Sequence, residues 1–88
     1  MSELLEIRLV VESIQNAFRP LRCGIEFFDF ERKLRFRVFD VHGRPVFNMS
    51  KMLTRRARDP TGLRLVVTEA RSHLKSKGFK LEPWAPPG

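Results

Sequence analysis

Between Leu21 and Phe39 the side chains repeat with a period of two, and this repeat limits the fold more than any other feature of the chain. Leu21, Cys23, Ile25 and Phe27 alternate with Arg22, Gly24, Glu26 and Phe28. After a gap, Leu34, Phe36 and Val38 alternate with Arg35, Arg37 and Phe39. Successive side chains of a strand point to opposite faces, so each run predicts a strand with one apolar face. The intervening Asp29-Phe30-Glu31-Arg32 is a short hairpin loop, which makes the pair antiparallel. A sheet with one apolar face must be covered by another layer.

The flanking segments supply that layer. From Glu3 to Phe18, the residues Leu4, Ile7, Val11, Ile14 and Phe18 recur at helical spacing, with Ser2 as N-cap and the acids Glu3 and Glu6 near the positive end of the helix dipole. Pro20 disfavours helical geometry at Arg19 and ends the element near Phe18 or Arg19. After the second strand, Asp40-Val41-His42-Gly43 predicts a turn with Gly43 at positive φ. A shorter strand follows around Pro45 to Met49, its proline pointing to a sheet edge. Ser50 to Asp59 is polar and basic, and reads either as a loop or as an irregular turn around Met52 and Leu53. Asp59-Pro60 then opens a second helix with the apolar stripe Leu63, Val66, Val67, Ala70 and Leu74. It closes at Gly78, with Phe79 placed for a Schellman-type contact. Residues 80–88 form a Pro-rich extended tail whose Trp84 can return to the domain.

The expected fold is α+β: helix, three antiparallel strands, helix, in two layers with both helices on one face. At 88 residues there is space for one domain, assigned to residues 1–79 with the tail at 80–88. Eight Phe and one Trp, with 42% hydrophobic residues, argue against disorder. No apolar run approaches a membrane span, and the acidic Met1-Ser2-Glu3 does not read as a secretory signal. A single cysteine, Cys23, forms no internal disulfide and agrees with a reducing, cytoplasmic setting.

Charge is concentrated. Residues 32–58 hold nine Lys or Arg (Arg32, Lys33, Arg35, Arg37, Arg44, Lys51, Arg55, Arg56 and Arg58) against one acid, Asp40. The first 31 residues hold three bases against six acids. A local basic surface concentrates anionic partners, nucleic acid or an acidic protein among them. If both helices cover the inner face, the outer one presents Arg22, Glu26, Phe28, Arg35, Arg37 and Phe39. Guanidinium groups among aromatic rings suit base stacking and phosphate contact. The expected binding residues are therefore Arg35, Arg37, Arg55, Arg56, Arg58, Phe28 and Phe39. Two bland alternatives stand beside them: Arg55 to Arg58 as a solvated basic loop, and one of the two rings covered by the tail, with Trp84 as its lid.

Catalysis has less support. Cys23 falls on the inner strand face, the position of a structural thiol. His42 and His73 lack carboxylate or cysteine partners at metal spacing, and Asp29, Glu31 and Asp40 flank turns. The glycines are scattered rather than clustered in a phosphate loop. The expectation is a non-enzymatic binding or regulatory module without cofactor or metal.

The run Phe18-Arg19-Pro20-Leu21-Arg22-Cys23 after an amphipathic helix, Val38-Phe39-Asp40 leading into Gly43, and a closing helix with Glu69-Ala70-Arg71-Ser72-His73-Leu74 resemble the small bacterial family catalogued as domain of unknown function 1652. The resemblance spans residues 4 to about 75 and implies no catalytic or binding residue, because that family has no established activity. This chain departs from its pattern in a shorter loop before Gly43 and a more basic Arg55-Arg56-Ala57-Arg58. Helix, three strands, helix is also the element order of double-stranded RNA-binding domains. Their lysine-rich opening of the second helix is missing here, where Pro60-Thr61-Gly62-Leu63-Arg64 stands instead. The leading expectation is an anionic partner such as nucleic acid. A homodimer joined through the sheet face is the alternative.

Overall fold

The two alternating runs form the strands they predict. In the computed structural model, which describes residues 4–87, the elements are α1 (Ile7–Ala17), β1 (Arg22–Phe28), β2 (Lys33–Phe39), β3 (Pro45–Leu53), α2 (Thr54–Arg58) and α3 (Pro60–Ser76). The sheet is antiparallel, in the order β1-β2-β3. β1 and β2 pair without a break, from Arg22 opposite Phe39 to Phe28 opposite Lys33. Their inner side chains Leu34, Phe36 and Val38 are buried with Val10, Ile14 and Ala17 of α1 and Leu63, Val66, Val67, Ala70 and Leu74 of α3. The helices therefore share one face of an α+β fold, and the opposite face is bare. Each fully buried Leu, Val or Phe contributes roughly 1.5–3 kcal/mol. An aromatic row runs from this core to the surface, from the buried Phe18 and Phe36 through the half-buried Phe47 to the exposed His73, with centroids 5.6, 5.9 and 5.6 Å apart.

The first helix starts later than its periodicity predicts. α1 begins at Ile7 because Leu5 is held in extended chain: its N–H donates to the Arg58 carbonyl at 2.7 Å, and its own carbonyl accepts from Arg58 Nε at 2.6 Å. The buried stripe is correspondingly Val10, Ser13, Ile14 and Ala17; Leu4 is exposed and Val11 half-buried. Glu6 occupies the N-cap position without a side-chain cap bond, and the Ser2 cap lies outside the described residues. Arg71 donates through Nη1 to the Ala17 carbonyl at the other end of α1.

The third strand is longer than expected. Leu34 pairs with Met52 but Phe36 with Met49, so β3 spends one extra residue there; a second extra residue falls between Phe47 and Pro45, which face Val38 and Phe39. These bulges put Met49 and Met52, three residues apart, toward the core and mask the period of two. Ser50–Asp59 is thus neither a loop nor an irregular turn: the strand continues to Leu53 and passes directly into α2. Gly62 makes the next crossing possible, since a Cβ there would stand 2.6 Å from the Arg56 carbonyl oxygen.

The C-terminal end of α3 follows the Schellman pattern. Gly78 takes φ +94°, its N–H donates to the Lys75 carbonyl, and Phe79 N–H donates to that of Leu74. Asp59 holds the N-cap position of α3, though its side chain makes no cap hydrogen bond. Beyond Phe79 the tail returns along α1. Glu82 N–H donates to the Arg19 carbonyl at 2.8 Å, and Trp84 Nε1 donates to the Ser13 carbonyl at 3.0 Å. Trp84 is therefore a cover for α1 and no lid for the outer sheet face.

Candidate functional site

The bare face is built from the strand positions that point away from the helices. β1 contributes Arg22, Gly24, Glu26 and Phe28, and β2 contributes Lys33, Arg35, Arg37 and Phe39. Cross-strand pairing sets Glu26 opposite Arg35, and Arg35 Nη2 reaches Glu26 Oε1 at 3.2 Å. The same guanidinium lies 4.4 Å from the ring centroid of Phe28. An exposed ion pair and an exposed cation–π contact are each worth up to about 1 kcal/mol, enough to orient Arg35 without burying it. Arg37 makes no ion pair or side-chain hydrogen bond among the described residues, so its donors face solvent. On its other side, Arg37 pairs with Asn48 of β3.

Gly24 opens a gap in this surface. The ring of Phe39 fills part of it, with Cε2 3.7 Å from where a Cβ would stand. What remains is a shallow depression of about 300 Å³ lined by Gly24, Ile25, Glu26, Arg35, Arg37, Phe39 and Asn48. It brings together an aromatic ring, the arginines Arg35 and Arg37, the Glu26 carboxylate that pairs with Arg35, and a carboxamide that both donates and accepts. Such a set can hold a planar ring against Phe39 and an anionic oxygen against Arg37. Asn48 is missed by sequence reasoning because the β3 bulges hide its phase. Gly24 is visible in the alternation but carries no chemistry of its own.

The remaining arginines of the expected site lie elsewhere. Arg55 and Arg56 are exposed on α2 and, with Leu4, Leu53 and Asp59, line a separate hollow at the end of the sheet. A neighbouring hollow adds Arg32, Glu31, Thr54 and Arg58. No residue is common to these hollows and the depression at Gly24. Arg58 is half-buried and holds Leu5, which gives it a structural duty. At this end of the molecule the hairpin tip carries Phe30, 92% exposed, on a backbone where Asp29, Phe30 and Glu31 all take positive φ. Left-handed geometry costs roughly 1–2 kcal/mol for each such residue, and no glycine relieves it here.

The other candidates read differently in three dimensions. Cys23 faces inward, and burial pushes its thiol up to about 12, so little thiolate exists at neutral pH. Asp40 belongs to its turn: its Oδ1 accepts from the N–H groups of Arg44 and His42, each at 2.9 Å, and these bonds hold the carboxyl below its ordinary pKa. Gly43 completes that turn at φ +77°. His73 packs edge-on against Phe47. Among the described residues, no group of three or more His, Cys, Asp or Glu side chains gathers as a metal site. None of the described helices is long and apolar enough to cross a membrane.

No protein-family model, curated protein or solved structure matches this chain. Its function has to be read from its own side chains.

Proposed function

We propose that the protein is a non-enzymatic module that binds single-stranded nucleic acid on the outer face of its sheet. The observation that carries this reading is the depression over Gly24, where the Phe39 ring, the Arg35 and Arg37 guanidinium groups and the Asn48 amide border one space. Aromatic rings stack on any base, and arginines on a flat sheet follow the phosphate chain, a combination suited to strands whose bases are unpaired. Arg22 extends the positive stripe along β1, whereas Lys33 is paired with Asp29 at 3.4 Å and Glu26 with Arg35 at 3.2 Å. Phe28 and Phe39 are already half-covered, by Arg35 and by contact above Gly24 respectively. That reduces the apolar area this face offers to a second copy and favours nucleic acid over face-to-face association.

The reading is tested by fluorescence anisotropy of a labelled mixed-sequence single strand across a salt series. The logarithm of the binding constant is expected to fall linearly with that of salt concentration. Arg35→Ala and Arg37→Ala should each flatten the slope by about 0.7 for every phosphate that the arginine neutralises. Phe39→Ala should weaken binding by roughly 1–3 kcal/mol with the slope unchanged. Absence of binding at low salt, or variants that bind like the parent, would contradict the assignment.

A further inference from the structure

The two edges of the sheet are built differently. β3 begins with Pro45, carries two bulges and exposes Lys51, all devices that discourage another strand from pairing. β1 lacks the proline and the bulges, and its exposed charges, Arg22 and Glu26, are of opposite sign. It keeps an unbroken register with β2 over seven residues, and among the described residues receives no backbone hydrogen bond from outside the sheet. The apolar side chains beside that edge are also incompletely covered. Cys23, Ile25 and Phe27 are only half-buried, whereas Leu34, Phe36 and Val38 next to them on β2 are fully buried.

We propose that β1 pairs with β1 of a second copy of this chain, antiparallel about a two-fold axis at Gly24, to form a continuous six-stranded sheet. The charges of the strand select this occupant and this register. Pairing centred on Gly24 sets Arg22 of each copy opposite Glu26 of the other on the outer face, and Cys23 opposite Ile25 on the inner face. Moving the axis one residue to Ile25 sets Arg22 opposite Phe28 and separates the charges. Glu26 already meets Arg35 of its own chain, so in the dimer one carboxylate lies between two guanidinium groups. The half-buried Ile25 comes to lie against Cys23 of the other copy, and the half-buried Phe27 beside its Leu21, which completes their cover. This interface runs along the hydrogen-bonding edge of β1, whose outward residues Arg22, Gly24 and Glu26 also border the face proposed to bind nucleic acid, but the pairing does not depend on that reading.

A charge-reversal cycle read by sedimentation equilibrium tests it. The parent chain is expected to dimerise with rising concentration. R22E and E26R should each weaken dimerisation roughly tenfold or more, since symmetry turns one substitution into two repelling pairs. The R22E/E26R double variant should recover part of the loss, because the arginine introduced at position 26 again meets an acid across the interface but now lies beside Arg35 of its own chain. Both positions are exposed, and circular dichroism verifies that each variant folds. Hydrogen exchange provides a second readout on the parent alone: β1 amides should slow as concentration rises. A parent that stays monomeric, or a dimer indifferent to both single reversals, overturns the proposal. So do β1 amides protected equally at every concentration, which would assign the edge to a segment of the same chain.

Discussion

A methyl group at residue 62 would stand 2.6 Å from the Arg56 carbonyl oxygen and 3.0 Å from Arg56 Cγ. Alanine is a better helix former than glycine by about 1 kcal/mol, so propensity alone predicts that Gly62→Ala stabilises α3. The clash is with backbone, which cannot swing aside, and overpacking of this kind costs typically about 1–3 kcal/mol. The net expectation is a lower urea midpoint at unchanged slope; an unchanged or higher midpoint would mean that α2 shifts freely. Asp40 shows a different residue-level device. Its lowered pKa means that folding favours the carboxylate, so the turn contributes stability at neutral pH that is lost as pH falls through the folded-state value. A carboxyl-detected NMR titration should place the Asp40 midpoint below that of an ordinary aspartate, with the His42 and Arg44 amides moving in step. An ordinary midpoint would show that the hydrogen bonds to Oδ1 do not persist in solution.

At the scale of elements, what is legible in the sequence is whatever repeats regularly. Leu21 to Phe39 reveals two strands and their inward phase, because unbroken alternation leaves only one way to bury Leu34, Phe36 and Val38. Pro60, Gly78 and Phe79 mark α3 through local chemistry that needs no distant partner. The end of β3 is hidden by its bulges, and α2 is too short for a periodic signal. The late start of α1 depends on Arg58, more than fifty residues away in sequence, and no local pattern reports such a bond. The tail also depends on distant contacts. Trp84→Phe removes the bond to the Ser13 carbonyl and should cost about 1 kcal/mol, while Trp84→Ala also removes the half-buried ring and should cost roughly 2–3 kcal/mol. Both are read by urea unfolding; parent-like midpoints would mean that the tail lies loosely on α1.

Across the whole molecule, the arginines that the sequence groups into one site are dispersed. Arg35 and Arg37 belong to the outer sheet face, whereas Arg55 and Arg56 cap the end of the sheet on α2, and Arg58 is occupied inside the fold. Linear clustering of charge exaggerates a single site because it cannot register a change of face between β2 and α2. The alternation does place Arg35, Arg37, Phe28 and Phe39 on one face, and the gap at Gly24 with Asn48 beside it emerges only from the pairing of three strands. The central claim is that this face meets single-stranded nucleic acid. Its most direct test is an amide chemical-shift titration of the labelled protein with a short mixed-sequence single strand, at low and at moderate salt. The expected result is a set of perturbations centred on Gly24, Arg35, Arg37, Phe39 and Asn48 that weaken steeply as salt rises, with α1 and α3 little affected. No perturbation at low salt, or one confined to α2 and the hairpin tip, would contradict it.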